Sequence, residues 1–250
     1  MGAPSIRPIT FYRRAAYAVI ALLGAGVVWH VWRPAPDRVT GVVRYAGATP
    51  TPARGPYPMR GGGPTAAGDD NVFDTRSELT PGGGVAGVLV YVLDPPRSQT
   101  GAGPHPGVDL VFRDFDFVEQ AKIVWVGQRL VVRNAWPALT NAHATRQTPP
   151  PGGRDVGDGF NVALPTVGSS FPYAFESPGR VEVRSDIFQW ARCQVLVTDH
   201  PWAAVTDESG RFEMPGLPEG RYTFEAYHPK LGVKRLTGEV RGGGKIVIAY

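Results

Sequence analysis

Residues 171–202 read FPYAFESPGRVEVRSDIFQWARCQVLVTDHPW, and this stretch contains the pattern that decides the fold. Three short runs in and beside it, SFPYAF (170–175), RVEVRS (180–185) and QVLVTD (194–199), are rich in β-branched and aromatic residues. Turn-forming Pro, Gly, Ser and Asp residues separate them. A regular succession of short strands and turns is typical of an antiparallel β sandwich.

The flanking sequence continues the same pattern on both sides. Upstream strand candidates are VTGVVRY (39–45), GVLVYVL (87–93), AKIVWV (121–126), RLVVRN (129–134) and FNVAL (160–164). Downstream candidates are AAVT (203–206), GRFEM (210–214), GRYTFEAY (220–227), VKRLTGEV (233–240) and KIVIAY (245–250). No segment after residue 34 has a sustained 3.6-residue apolar period bounded by helix caps, so this part is predicted to be nearly all β. The pattern leaves open how the strands at 39–45 and 87–93 are shared between sandwiches.

The N-terminal segment predicts a single membrane-spanning helix. Residues 15–32 (AAYAVIALLGAGVVWHVW) contain no Asp, Glu, Lys or Arg, and eighteen helical residues span ~27 Å, close to the hydrocarbon thickness of a bilayer. Arg7, Arg13 and Arg14 precede the run, which places the N-terminus in the cytoplasm and the body in the periplasm. A cleaved signal peptide with an apolar core at 15–23 is the alternative, but the apolar run continues to Trp32, which favours an anchor in the cytoplasmic membrane.

Two sets of side chains on this helix are candidate contacts. Small residues on one face allow a second membrane helix to approach closely. They are Ala18, Ala21, Gly24 and Ala25. The predicted interface anchors at the far side of the membrane are Trp29 and Trp32.

Charge and composition exclude several classes of function. The chain carries 26 Lys plus Arg against 22 Asp plus Glu, but residues 1–34 hold four arginines and no carboxylate, so the rest is formally neutral. A neutral body argues against nucleic-acid binding, which needs a basic face. One cysteine excludes an intrachain disulfide framework and a multi-cysteine metal site. The content of 32 Gly and 25 Pro predicts long loops, and a partner is expected to order them because ordering costs ~1–2 kcal/mol per residue.

The last fifty residues resemble a known module. The segment AVTDESGRFEMPGLPEGRYTFEAYHPKLG (204–232) is similar to the carboxypeptidase-regulatory-like, transthyretin-type β-sandwich repeat. The resemblance implies a small stability or interaction domain without a catalytic site.

The preceding part resembles a cupredoxin of the methylamine-utilisation type. The similar segments are VWVGQRLVVRNAWPALTNAHA (124–144) and residues 171–202. In the family, two imidazoles, one thiolate and a weak axial thioether bind a single copper ion. The corresponding positions here are Thr140, Ser185, Phe188 and Ala191, so none of the four ligands is present. The scaffold residues around them are kept, namely Asn141, Asp186, Ile187 and Trp190.

No metal and no other cofactor is therefore expected, and no catalytic residue is predicted. A shifted copper site using His143 and Cys193 is the alternative to a site without metal. Asp114, Asp116 and Glu119 could bind a cation, but their alternation with phenylalanines favours a solvated strand face or a contact surface. There is no G-x-S-x-G motif for nucleophilic catalysis.

These observations predict an all-β protein, a cupredoxin-like sandwich plus a small transthyretin-like sandwich, with one N-terminal transmembrane helix. The predicted divisions are 1–34 for the leader and anchor, 35–200 for the cupredoxin-like domain and 201–250 for the regulatory-like domain. The predicted function is a non-enzymatic, membrane-anchored periplasmic subunit of a membrane protein complex, such as an electron-transfer or photosynthetic one. The alternatives are a copper electron-transfer protein with an atypical site, and a carbohydrate- or peptide-binding module using exposed Trp136, Tyr173 and Trp202.

Overall fold

A computed structural model of the chain describes residues 38–47, 83–96, 105–147, 159–241 and 245–250. Every regular element in these ranges is a β-strand, so the all-β prediction is confirmed for the described part. The described residues contain no helix long and apolar enough to cross a membrane. The predicted anchor at 15–32, with its contact residues Ala18, Ala21, Gly24, Ala25, Trp29 and Trp32, lies outside the described residues.

Sixteen strands are present in the described part, and they form four sheets. They are β1 (Arg38–Arg44), β2 (Leu89–Val92), β3 (Val108–Arg113), β4 (Asp116–Phe117), β5 (Ala121–Trp125), β6 (Arg129–Asn134), β7 (Thr140–Arg146), β8 (Phe160–Leu164), β9 (Ser170–Ala174), β10 (Gly179–Arg184), β11 (Arg192–Thr198), β12 (Ala203–Val205), β13 (Arg211–Pro215), β14 (Gly220–His228), β15 (Gly232–Val240) and β16 (Lys245–Ala249).

The first sandwich consists of strands β3 to β11. One sheet has the order β5-β11-β10-β7-β8 and the other has the order β4-β3-β6-β9. Alternate residues of each strand point between the sheets, and the buried apolar set includes Leu110, Phe112, Leu130, Val183 and Cys193. Burial of this apolar surface is the main force that holds the two sheets together.

The second sandwich combines strands from both ends of the described chain. Its sheets have the orders β13-β1-β16 and β12-β2-β14-β15. Trp202, Phe224 and Ile248 lie in its core. The question left open by the sequence is thereby answered, because β1 and β2 are strands of this sandwich although they precede the first one in the chain.

The expectation of purely antiparallel sheets is wrong for three strand pairs. β3 and β6, β5 and β11, and β1 and β16 pair in parallel. A parallel pair arises where the chain leaves one strand, crosses to another sheet or edge, and returns in the same direction. The chain does this between β3 and β6, because β5 lies in the opposite sheet of the sandwich.

Candidate functional site

Four loops meet at one end of the first sandwich. Strand register places them together, because β3 and β6 end side by side (Phe112 opposite Asn134) and β8 ends beside the start of β7 (Leu164 opposite Thr140). We call this surface the loop end and define it as residues 114–115, 135–139, 165–169 and 185–191. The Asn134 side chain links two of these loops by donating hydrogen bonds to the carbonyl oxygens of Ala138 (2.8 Å) and Leu164 (2.9 Å).

Half-buried aromatic rings from three of the loops form a cluster at this end. The Phe115 ring centroid is 4.6 Å from that of Trp136 and 5.7 Å from that of Phe188. Phe188 lies 5.7 Å from Trp190, whose indole N–H donates to the carbonyl oxygen of Phe115 at 2.9 Å. Aromatic pairs at these distances stabilise by ~0.5–1.5 kcal/mol beyond their burial, so the loops hold each other in place.

The turn that carries Phe115 has an unusual backbone. Arg113 pairs with Asp116 across a two-residue hairpin, and both central residues have positive φ, 53° for Asp114 and 69° for Phe115. This is the geometry of a type I′ turn, which normally favours Asn-Gly. A bulky residue such as Phe costs about 1–2 kcal/mol in this region. The surrounding contacts therefore hold Phe115 in a strained conformation at the loop end.

Exposed aliphatic side chains lie on three of the four loops at this end. Leu139 is 50% exposed, Val167 is 61% exposed and Ile187 is 46% exposed, and each comes from a different loop. The four loops contain no Lys, Arg or Glu, and their charged residues are Asp114 and Asp186. An exposed apolar patch depleted of charge is typical of a surface that contacts another molecule.

The four positions that the resemblance to cupredoxins assigns to copper ligands lie at or next to the 185–191 loop. Thr140 and Ser185 are both buried, and their hydroxyl oxygens are 3.3 Å apart. The backbone of the 185–191 loop is closed by hydrogen bonds from Ala191 N to Phe188 O (2.8 Å) and from Ser185 N to Ala191 O (3.0 Å). The side chains at these four positions are two hydroxyls, one phenyl ring and one methyl group.

Asn141 fixes the start of this loop. Its amide oxygen accepts from the Ser185 hydroxyl (3.1 Å) and from the backbone N–H of Asp186 (2.8 Å). Its amide nitrogen donates to the Asp186 carboxylate (2.9 Å) and to the Asn161 side chain (3.1 Å). Asn161 and His143 also contact that carboxylate, each at 3.1 Å. Partial burial would raise the pKa of Asp186, but the hydrogen bonds from His143, Asn141 and Asn161 outweigh it and lower the pKa below its usual range.

His143 and Cys193 lie on opposite faces of one sheet. Cys193 pairs with Val183, which pairs with Ala144, and these three side chains belong to the core. His143 is the neighbour of Ala144 in the same strand, so its side chain points to the other face. Burial raises the pKa of the Cys193 thiol, which disfavours the thiolate that a metal would need.

The residues present therefore do not fit a copper ion. Hydroxyl, phenyl and methyl groups are not the soft thiolate, thioether and imidazole ligands that copper prefers. Both hydroxyls are engaged in hydrogen bonds with each other and with Asn141, and His143 and Cys193 cannot converge on one ion. Among the described residues, no group of three or more His, Cys, Asp or Glu side chains is placed to hold a metal ion.

The carboxylates near the β3–β4 turn have separate structural roles. Asp114 lies in the strained turn, while Asp116 accepts from the backbone N–H of Phe117 at 2.8 Å. Glu119 pairs with the Lys122 ammonium at 2.8 Å. Burial raises the pKa of Asp116 to about 6 against the lowering effect of its hydrogen bonds. The segment is not one continuous strand, because the chain reverses at 114–115 and buries Phe112 and Phe117, and the expectation of a contact surface here stays a prediction.

Of the three aromatic residues considered for ligand binding, only one lies at the loop end. Trp136 belongs to the aromatic cluster, whereas Tyr173 of β9 packs against the rings of Phe160 and Phe175. Trp202 is fully buried in the second sandwich, where its indole N–H donates to Gly216 O at 3.2 Å. The prediction that Trp202 is exposed is wrong, and the three residues do not form one surface.

Comparison with known proteins gives a partial structural likeness. No protein-family model and no curated protein sequence matches the chain. The purple cupredoxin from Nitrosopumilus maritimus is similar at 17% identity over 36% of this chain and 98% of that chain, with a TM-score of 0.29. A reduced amicyanin variant is similar at 11% identity over 44% of this chain and 98% of that chain, with a TM-score of 0.31. The solved structures that part of this chain resembles are thus cupredoxins, and the likeness to a carboxypeptidase-regulatory-like domain stays a prediction from residues 204–232.

Proposed function

We propose that the chain is a non-enzymatic accessory subunit of a membrane protein complex that docks through the loop end of its first sandwich. Residues 15–32 anchor it in the cytoplasmic membrane, with the N-terminus in the cytoplasm and the β body in the periplasm. The complex that we propose is an electron-transfer or photosynthetic one, by analogy with the cupredoxins that residues 124–144 and 171–202 resemble.

The single observation that carries the proposal is the composition of the loop end. Four loops present aromatic and aliphatic side chains, and the hydroxyls beneath them are engaged with one another. A surface that cannot hold copper but exposes Leu139, Val167 and Ile187 is suited to contact a protein. Protein interfaces are enriched in Trp and Phe and depleted of Lys and Glu, as these loops are.

The strain at Phe115 supports a role for this surface. A positive φ at a bulky residue persists only when the surroundings hold it there, and such residues occur preferentially at functional sites. The turn places the Phe115 ring beside Trp136. A rigid aromatic cluster loses little conformational entropy when a partner binds.

The test is purification of the tagged full chain from its native membrane in mild detergent, followed by identification of the subunits that remain bound. Leu139→Asp and Ile187→Asp are expected to release those subunits at least tenfold more readily than the unaltered chain, because each places a charge in the contact. Val247→Asp is the matched control, since Val247 is 54% exposed but lies on β16 of the second sandwich.

Two results would overturn the proposal. One is a chain that carries no membrane subunit, or whose subunits remain bound in both loop-end variants. The other is a stoichiometric copper–thiolate absorption band that is lost in Cys193→Ala, which would support the copper carrier instead.

A further inference from the structure

The two sandwiches share a buried interface. Leu89 and Tyr91 of β2 pack against Leu196 of β11, and the half-buried Tyr227 of β14 joins the same cluster. These residues lie on the faces of their sheets that point away from each sandwich's own core, because their strand neighbours Val90 and Ala226 lie in the core of the second sandwich. The interface is thus a third apolar layer between two separate cores.

A buried carboxylate lies in this interface. Glu225 of β14 is 3% exposed. Its carboxylate accepts a hydrogen bond from the Tyr91 hydroxyl and one from Arg235 Nε at 2.8 Å. Burial, reinforced by the hydrogen bond and charge of Glu225, raises the pKa of Tyr91, so the hydroxyl remains a donor. All three residues belong to the second sandwich, and Glu182 of β10 brings a further carboxylate close to Tyr227 from the first sandwich.

Arg180 reaches this group from the first sandwich. It lies on β10, its side chain is 11% exposed, and its Nε is 3.9 Å from the Glu225 carboxylate. Its guanidinium carbon lies 3.9 Å from the centroid of the Tyr227 ring. A guanidinium over an aromatic face is attracted to the ring, and the attraction is stronger when both groups are desolvated. The planar guanidinium can stack flat on a ring while its edge pairs with a carboxylate, whereas an ammonium has no planar face to stack.

The contact of Arg180 with Glu225 and Tyr227 depends more strongly on orientation than the apolar layer around it does. Aliphatic side chains tolerate sliding and rotation, because hydrophobic attraction depends on area and not on angle. Arg180 must keep both its stacking distance to Tyr227 and its approach to Glu225. A rotation between the sandwiches would leave the Arg180 charge poorly paired in a desolvated site, which is strongly unfavourable.

We propose that Arg180 is a latch that fixes the orientation of the first sandwich relative to the second. Its binding site on the second sandwich consists of the Tyr227 ring and the Glu225 carboxylate, which Tyr91 and Arg235 hold in place. The apolar layer keeps the sandwiches together, and the latch selects one orientation among those that the layer permits. This inference does not depend on the proposed function.

The test measures the distance between the sandwiches in the full chain. Spin labels on Val167→Cys and Val247→Cys report from exposed sites on the first and second sandwich, and the native Cys193 is fully buried and shielded from labelling. A single narrow distance distribution is expected without further change. Arg180→Ala is expected to broaden it at least twofold, and Arg180→Lys, which keeps the charge but loses planar stacking, is expected to broaden it less.

Two further variants keep the test decisive. Tyr227→Leu removes the stacking surface from the other sandwich and is expected to broaden the distribution as Arg180→Ala does. Arg129→Ala, at an exposed arginine at the start of β6, is the matched control and should leave the distribution narrow. If Arg180→Ala and Tyr227→Leu both keep the narrow distribution, or if Arg129→Ala broadens it equally, Arg180 is not a latch.

Discussion

The side-chain oxygens of Thr140 and Ser185 lie 3.3 Å apart, and both side chains are buried. Thr140 begins β7 and Ser185 follows β10, so this contact joins two chain segments at the base of the loop end. By resemblance to cupredoxins, these are positions of an imidazole and a thiolate. In a cupredoxin a copper ion would join the side chains at these two positions, whereas here a hydrogen bond between the two hydroxyls joins them.

The first prediction concerns copper binding. The unaltered chain is expected to show no thiolate-to-copper absorption when titrated with Cu(II). The combined variant Thr140→His, Ser185→Cys, Phe188→His and Ala191→Met supplies the soft ligand set, and it is expected to develop an intense visible band at one copper per chain. Because Ala191 is fully buried, the larger Met should also lower stability by ~1–3 kcal/mol.

Ser185→Cys alone is the control for this experiment, because a lone thiol lacks the other ligands. Circular dichroism and electron paramagnetic resonance spectra would establish that each variant is folded and how its copper is bound. A folded fourfold variant without the band would contradict the correspondence of these four positions.

The second prediction concerns the hydrogen bonds of Asn141. Asn141→Ala leaves the Ser185 hydroxyl and the Asp186 N–H without their acceptor, so we expect the free energy of unfolding to fall by ~2–3 kcal/mol. Asn161→Ala is the matched control, because its contact with the half-exposed Asp186 carboxylate is more accessible to water, and a loss of under ~1 kcal/mol is expected. Urea denaturation gives both values. Equal losses would show that Asn141 has no special role in holding the loop.

Much of the β structure could be predicted from local sequence, because alternating apolar residues mark a strand with one buried face. RVEVRS (180–185) predicts β10 in this way. β7 was not predicted, because its buried positions are filled by Thr140, Ala142 and Ala144, which give no run of large or β-branched apolar residues. Its place between β8 and β10 depends on pairing with distant strands, which no local pattern reveals.

The candidate site could be predicted only in part. The resemblance to cupredoxins singles out Asn141 and Asp186 only as scaffold residues, and their direct hydrogen bond is visible in the structure alone. Nothing in the sequence marks Phe115 as a turn residue. A positive φ is usually signalled by Gly or Asn, and here the residue is a Phe. The exposure of Leu139 and Val167 at one end likewise depends on how four loops separated in sequence converge.

The third prediction concerns the pH dependence that Asp116 confers. Burial raises its pKa from 3.8 to about 6, so between these values the folded protein binds a proton that the unfolded chain does not. Its contribution to stability is therefore present below pH 3.8 and is lost as the pH rises through 6. Asp116→Asn is expected to gain up to about 3 kcal/mol relative to the unaltered chain between pH 4 and pH 7. Urea denaturation at several pH values measures this, with exposed Asp114→Asn as the control. Identical profiles for the two variants would contradict the assignment.

The fourth prediction has the opposite sign and concerns His228. Burial, assisted by the Lys230 charge, lowers the pKa of His228 from 6.5 to about 4. Between these values the unfolded chain binds a proton that the folded protein excludes, so stability falls as the pH decreases through this range. His228→Gln is expected to make this acid slope shallower, and Lys230→Gln should do so only slightly, because burial is the larger cause. An acid slope unchanged in His228→Gln would contradict the prediction.

The fifth prediction compares two glycines of the second sandwich. Gly210 and Gly232 have nearly the same positive φ, 74° and 76°. A Cβ at Gly210 would lie 2.4 Å from the carbonyl oxygen of Val43 and 2.7 Å from the backbone nitrogen of Val85, whereas a Cβ at Gly232 meets no atom within 4 Å. Backbone strain alone costs ~1–2 kcal/mol, so Gly232→Ala should lose about that much stability.

Gly210→Ala must in addition displace β1 from the 207–210 turn, whose Gly210 carbonyl accepts the Val43 N–H at 2.8 Å. We expect a loss of more than ~4 kcal/mol, the range of an exceptional substitution, by urea denaturation. Similar losses at both sites would mean that β1 does not pack against this turn as the structure places it.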